Sequence, residues 1–253
     1  MADHDSIDIL IGIDDTDNAE SRGTGYHSRQ LAHLLENFEN TIVKGITRHQ
    51  LYVHPMIRYT SQNSSACIAV QTNNVQDITT SCEKYLIKNS ALGSDAGLCI
   101  TPENKVGPSV IDWGYNAKKK ILKMEDAFQL SMKGSFYLKG FTGTHEGIIG
   151  ALAAVGLRSG GNDGRFIWRK GRKELREVQE GIITSNELID ELELDQIMSL
   201  EGDQPATDER IYINDWVRPI LKDNKSILIA EKTDNHDEFE WKLTSKEIIR
   251  TIS

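Results

Sequence analysis

The stretch that most constrains this chain is an apolar run that ends in acid: Ile7-Asp8-Ile9-Leu10-Ile11-Gly12-Ile13-Asp14-Asp15-Thr16-Asp17. The β-branched, apolar character of Ile7 to Ile13 predicts a buried strand. A strand that ends in Asp-Asp-Thr-Asp delivers carboxylates to one edge of a sheet, where α/β folds place their ligands. Carboxylates this close repel one another, so they require solvent or a cation. A hard cation such as Mg²⁺ takes oxygen ligands from one or two carboxylates and from substrate phosphates. The turn therefore reads either as a metal–nucleotide site or as a solvated, helix-capping Asp-rich turn.

The next residues widen the stretch. Asn18 to Gly25 is polar and contains Gly23, Thr24 and Gly25. Tyr26 to Asn37 then carries Leu31, Leu34 and Leu35 at helical spacing. Strand, acidic turn, Gly-Thr-Gly and helix together can present backbone N–H groups and a helix N-terminus to phosphate. No Gly-Lys-Ser/Thr follows, so this is not a Walker A loop. It is not the spaced-glycine dinucleotide fingerprint either.

Later segments fix the fold class. Thr41–Thr47, Ser65–Thr72 and Gly97–Thr101 read as strands, and Val75–Asn89 as a helix. The resulting β-α-β-β-α-β order matches a split βαβ sandwich. Ala117–Met132 is predicted as one further helix, with a basic zone at Lys118, Lys119, Lys120 and Lys123. A second domain is expected from about residue 133. It would hold a strand at Ser135–Leu138, a small-residue helix at Gly147–Val155, a loop at 158–164 and a strand at Arg165–Arg169. An amphipathic helix or connection at Ile183–Met198 and a late strand at Ser226–Ala230 complete it. The charge run Arg172–Glu177 reads as a solvated turn. The expected class is α/β (α+β), with domains 1–132 and 133–253.

Composition limits the functions on offer. The 253 residues carry a net charge of −9, with 38% hydrophobic and 26% charged residues, as a packed globular chain does. That acidity argues against a broad nucleic-acid face. Cys67, Cys82 and Cys99 form no Cys-x-x-Cys pair, which fits a reducing cytoplasm and excludes a zinc ribbon built by these residues alone. No basic leader and no span-length apolar run is expected.

Three stretches resemble one family: Gly12-Ile13-Asp14-Asp15-Thr16-Asp17, the Gly-Ile-Ile-Gly-Ala-Leu-Ala-Ala-Val-Gly of residues 147–156, and Asn214-Asp215-Trp216-Val217. They look like the archaeal agmatidine synthetase family, which modifies the anticodon cytidine of an isoleucine tRNA with ATP and agmatine. The resemblance runs in order over residues 7–230. Val53-His54-Pro55-Met56-Ile57 sits at the family's Leu-Asn-Pro-x-Ile, and Asp95-Ala96-Gly97 at its Asn-Pro-Gly-like turn. It implies a kinase-like domain opening with the acidic motif, followed by a ferredoxin-like domain. The departures are specific. Where the family has Lys-Thr-Arg-Gly-Asn, this chain has Thr60-Ser61-Gln62-Asn63-Ser64, so those basic residues are missing. The family's phosphate-accepting threonine corresponds to Tyr26. Its OB fold and zinc ribbon would begin where this sequence stops.

The candidate site follows from both readings. Asp14, Asp15 and Asp17 are the expected metal-binding and catalytic carboxylates, because metal ions neutralise charge on a transferring phosphoryl group. His27 is an acid–base candidate, and His54 a weaker one. Thr16, Gly23, Thr24 and Gly25 are placed at the phosphates. Ser61, Gln62, Asn63 and Ser64 either hydrogen-bond substrate or form an ordinary polar turn. Gly143, Thr144, His145, Glu146 and Gly147 open a helix whose N-terminus can hold an anion, or serve as plain capping. Asp95 and Gly97 add a second strand edge; Asp215 and Trp216 shape a pocket or sit in a core. The expected cofactors are ATP and Mg²⁺, held in a cleft between the domains. The expected activity is phosphoryl or adenylyl transfer to a small molecule, an amine among the candidates. Two alternatives stand beside it. One is tRNA cytidine modification with a separate RNA-binding partner, and the other is a non-catalytic nucleotide or metabolite sensor. A cytoplasmic location, no membrane partner and an open question of homo-oligomerisation complete the expectation.

Overall fold

A computed structural model describes residues 6–60, 62–169, 173–233 and 238–253. The chain is α+β and divides into two compact units, Met1–Gly160 and Gly161–Ser253. The elements expected from residue 133 up to Gly160 thus belong to the first unit.

In the first unit the order is β1 (Ile7–Asp14), α1 (Thr24–Leu35), β2 (Ile42–Gln50), β3 (Ser64–Thr72), α2 (Val75–Asn89), β4 (Gly97–Pro102), α3 (Pro108–Ala117), α4 (Met124–Gly134), β5 (Tyr137–Gly140) and α5 (Ile148–Gly160). The strands lie side by side as β5-β4-β1-β3-β2, every pair antiparallel. This is the split βαβ arrangement the pattern predicts, extended by β5.

Both faces of this sheet are covered. The two-residue period of β1 turns Leu10, Gly12 and Asp14 to one face and Ile9, Ile11 and Ile13 to the other. All of these except Asp14 and Gly12 are large and apolar, and Ile9, Leu10, Ile11 and Ile13 are fully buried. Helix α5 packs on the Leu10 face, across β1, β3 and β4, while α1 packs on β2 and β3. Every residue of α5 from Gly150 to Leu157 is buried. A helix that is apolar all round must be enclosed on all sides, and α3 supplies the remaining side. The Trp113 indole N–H donates to the Ile149 carbonyl at 3.1 Å and fixes that pairing. Glycines set the close approach: a methyl group on Gly12 would lie 2.0 Å from the Ala151 carbonyl oxygen. This demand for enclosure explains why α5 joins the first unit.

The helix expected over Ala117–Met132 is broken in two. Helix α3 starts at Pro108, well before that span, with proline in the first turn where its missing N–H costs nothing. It stops at Ala117, whose carbonyl accepts the Tyr52 N–H at 2.9 Å instead of a continuing helical bond. Residues 118–123 form a connection before α4.

The second unit is strand-rich: β6 (Arg165–Arg169), β7 (Lys173–Glu174), β8 (Gly181–Thr184), α6 (Ser185–Leu192), β9 (Gln196–Met198), β10 (Arg210–Ile213), β11 (Ile220–Lys222), β12 (Lys225–Lys232), β13 (Trp241–Leu243) and α7 (Lys246–Ile252). Its pairing runs β6-β11-β12-β13-β10-β8, with β9 parallel to β12. Phe166, Leu188, Ile211, Leu228 and Trp241 centre its core. The single element expected over Ile183–Met198 is β8, α6 and β9. Strand β8 is drawn into pairing with β10. A Thr184–Glu187 capping box then starts α6, and Glu193, in the left-handed conformation, ends it. Within the charge run, Leu175 is buried, and Arg172 lies outside the described residues.

Candidate functional site

Strand β1 ends at Asp14 and the chain turns at once. Asp15 adopts φ 48°, a left-handed conformation that Asp and Asn tolerate better than most residues. The three carboxylates of the turn have different surroundings.

Asp17 is committed to structure. Its Oδ1 accepts the Thr24 backbone N–H and hydroxyl, both at 3.2 Å, and its Oδ2 accepts the Thr60 hydroxyl at 2.8 Å. It thereby caps α1, whose N-cap residue Gly23 has no side chain to do so. A negative charge at a helix N-terminus is also favoured by the helix dipole. Thr16 is fully buried, and its hydroxyl donates to that of Thr24 at 3.2 Å.

Asp14 is buried beneath α5. A methyl group on Gly150 would lie 1.7 Å from Asp14 Oδ2, so the carboxyl occupies the room this glycine leaves. Burial, then the charge of Asp15, push its pKa up to about 8, against the opposing pull of the Asp15 N–H hydrogen bond and Arg48. Asp15 is half-buried. Burial first, then the charges of Asp95 and Asp17, raise it to about 6, with Arg58 opposing. Among the described residues, the Asp15 carboxylate has no hydrogen-bond or ion-pair partner.

These groups face a cavity of about 340 Å³, lined wholly by the first unit. That size is typical of a small-molecule site. Asp14, Asp15 and Asp17 come from the end of β1, and Glu146 from the approach to α5. Arg58 comes from the β2–β3 connection, and Lys120 and Lys123 from the α3–α4 connection. Leu51, Ile121, Leu122, Met124 and Ile149 add apolar surface.

Of the other expected residues, Thr24, Gln62, Asn63, Ser64 and Gly147 line the cavity as well. Gln62 accepts from Arg48 at 2.8 Å, and the Asn63 side-chain amide donates to the Tyr52 carbonyl at 2.6 Å. Ser61 lies outside the described residues. Asp95, Gly97, Gly143, Thr144 and His145 sit behind the lining. The loop expected to hold a ligand anion encloses the chain's own Asp95. Its Oδ1 accepts the Thr144 backbone N–H, and the Thr144 hydroxyl at 3.1 Å; its carbonyl accepts the Gly147 N–H at 2.9 Å. Gly143 takes φ 55°, and a methyl there would lie 1.9 Å from Asp95 Oδ1. Gly97 lies against the Gly147 backbone, and His145 against Gly140. Gly25 accepts the Ser28 hydroxyl within α1, away from the cavity. His27 is also outside the lining. It is buried, its Nδ1 lies 3.0 Å from the Tyr85 hydroxyl, and burial lowers its pKa. His54 accepts the Met56 N–H at 3.2 Å. Trp216 packs beside the second unit's Ile220 cluster.

No family model and no curated protein matches the chain. Solved structures do. A tRNA fluorescent labeling enzyme matches with a TM-score of 0.54 at 23% identity, over 59% of this chain and 36% of its own. A complex of TiaS with tRNA and ATP gives 0.54 at 22% identity, over 59% and 36%. Apo TiaS, a tRNA agmatidine synthetase, gives 0.51 at 22% identity, over 59% and 35%. The fold is TiaS-like. At such identities the likeness is one of fold, and the chain spans little more than a third of these proteins (36% and 35%).

Within this TiaS-like fold, sequence reasoning missed Arg58, Lys120, Lys123 and Gly150 as site residues. The lysine run was visible. Reading residues 117–132 as one helix hid the connection that carries Lys120 and Lys123 to the cavity. Among the described residues, no three His, Cys, Asp or Glu side chains are gathered to hold a metal ion by themselves. Among the described residues, no helix is long and apolar enough to cross a membrane.

Proposed function

We propose that the first unit binds ATP with Mg²⁺ in this cavity and transfers a phosphoryl or adenylyl group to a small molecule. The observation that carries the reading is the pair Asp14 and Asp15, two oxygen donors at a cavity wall with their pKa values raised and Asp15 unpartnered among the described residues. That donor set fits Mg²⁺, which uses one or two protein carboxylates and completes its shell with water and phosphate oxygens. Asp14 and Asp15 would hold the ion, and Asp17 would keep the turn in place through α1. Bound there, the ion would neutralise phosphate charge. The chain's own residues orient the nucleotide: the apolar wall of Ile121, Leu122 and Ile149 suits a base, and Glu146 suits a cationic acceptor such as an amine. The TiaS-like fold, solved elsewhere as a complex with ATP, supports the choice of nucleotide.

The same solved complex contains tRNA, which favours a second reading, modification of an RNA nucleotide. With a net charge of −9, that activity would draw on a separate RNA-binding partner.

The test is to incubate the protein with α-labelled ATP, Mg²⁺ and a panel of amines and phosphate acceptors, and to separate the products. Acceptor-dependent ADP means phosphoryl transfer; a labelled acceptor–AMP adduct formed with release of pyrophosphate means adenylyl transfer, and free AMP appears when an amine then displaces it. ATP bound without turnover on any acceptor would replace the enzyme reading with a sensor.

A further inference from the structure

The chain lacks basic residues at Thr60 to Ser64, yet its cavity is not without cations. Arg58, Lys120 and Lys123 all line it, and they reach it from two segments unrelated in sequence. We propose that these three side chains form a subsite for the polyphosphate arm of the ligand, and that Arg58 moves from Asp95 onto it when the ligand binds. The identity of the ligand rests on the nucleotide reading; the subsite itself is a claim about polyphosphate.

Arg58 is placed to move. Its guanidinium lies 3.5 Å from Asp95 Oδ2, at the long end of an ion pair, and its side chain is 69% exposed. Its second anchor is a hydrogen bond to the Gly93 carbonyl at 2.9 Å. Asp95 is buried, whereas the Arg58 side chain lies in solvent, so it is the arginine that can leave the pair. When Arg58 leaves, the other Asp95 oxygen stays held by the Thr144 backbone N–H and hydroxyl. A guanidinium matches phosphate oxygens in a bidentate fork, which a carboxylate seen through one oxygen at 3.5 Å does not exploit.

Lys120 and Lys123 are exposed and, among the described residues, carry no ion pair. They flank Ile121 and Leu122, which also line the cavity. One short connection therefore offers apolar surface and two exposed point charges together, a combination that suits a nucleotide.

Charge accounts for the exchange. Without ligand, Arg58 opposes the crowding of Asp15 by Asp95 and Asp17. A cation held by Asp14 and Asp15 would make that compensation unnecessary, and the phosphates arriving with it would offer Arg58 a stronger partner. Arg58→Gln must then act with opposite sign on two ligands. It removes a cation that competes with the metal, and it removes a cation that binds phosphate.

The test is calorimetry on the full chain with four probes: Mg²⁺ alone, Mg²⁺–ATP, Mg²⁺–tripolyphosphate and adenosine. Arg58→Gln is expected to strengthen Mg²⁺ binding by about threefold and to weaken both polyphosphates by at least about tenfold. Lys120→Gln/Lys123→Gln is expected to weaken both polyphosphates by about tenfold and to leave adenosine binding unchanged. If wild type binds Mg²⁺–ATP and all variants bind it equally well, the subsite is overturned and the nucleotide reading stands. If tripolyphosphate binds in an Arg58-dependent way but ATP does not bind, the nucleotide reading falls and the subsite stands.

Discussion

Asp14→Asn is expected to make the chain more stable near neutral pH, not less. Burial and its acidic neighbours raise the Asp14 pKa from 3.8 to about 8. The folded chain therefore keeps a proton that the unfolded chain releases from pH of about 4 upward. The contribution is complete below that pH and is lost as pH rises towards about 8, at about 1.4 kcal/mol per pH unit. Asparagine keeps the shape, stays neutral, and its oxygen still accepts the Asp15 N–H. Urea midpoints of wild type should fall steadily between pH of about 5 and about 8. Those of Asp14→Asn should be flat above about pH 6, since the remaining slope belongs to Asp15, raised to about 6. Parallel slopes for the two proteins would mean that Asp14 is not the buried acid described here.

Gly12→Ala should unfold or severely weaken the first unit. The added methyl would meet the Ala151 carbonyl oxygen at 2.0 Å and Val155 Cγ2 at 3.1 Å. The first of these is helix backbone and cannot rotate away, so β1 and α5 must separate. Overpacking typically costs about 1–3 kcal/mol and occasionally more, and a clash with fixed helix backbone belongs at the top of that range. Asp14 lies two residues on, on the same face of β1, so ligand binding should fail together with stability. Gly181→Ala is the control: nothing lies within 4 Å of its added methyl, and its effect should stay within about 0.5 kcal/mol. Equal melting temperatures for Gly12→Ala and wild type would contradict the β1–α5 packing.

Much of the first unit was legible because its signals are local. The β1 run, the Val75–Asn89 helix and the order of the six elements follow from side-chain period and composition. The start of α5 was legible too, but its place was not. Nothing local says that Gly147–Val155 covers the second face of the first sheet; that follows from its need to be buried on all sides. The same limit applies at Ala117, where a backbone bond from Tyr52, distant in sequence, ends a helix that the pattern would continue. In the second unit, β10 and β11 are too short to announce themselves and are fixed by pairing. At the site, the acidic turn was legible as a cluster, but not the division of labour within it. Asp17 takes up the capping alternative, while Asp14 and Asp15 keep the features of a cation site. The cations could not be placed, because Arg58, Lys120 and Lys123 meet only in the folded chain.

The central claim is that Asp14 and Asp15 hold a magnesium–nucleotide. Asp15→Asn tests it most directly, because asparagine tolerates the φ of 48° at this position and removes only the charge. Titration calorimetry should show wild type binding ATP in Mg²⁺ and losing it in a chelator. Asp15→Asn should bind at least about tenfold more weakly, with its melting temperature unchanged or raised. Equal affinity for wild type and Asp15→Asn, or ATP binding indifferent to Mg²⁺, would contradict the account.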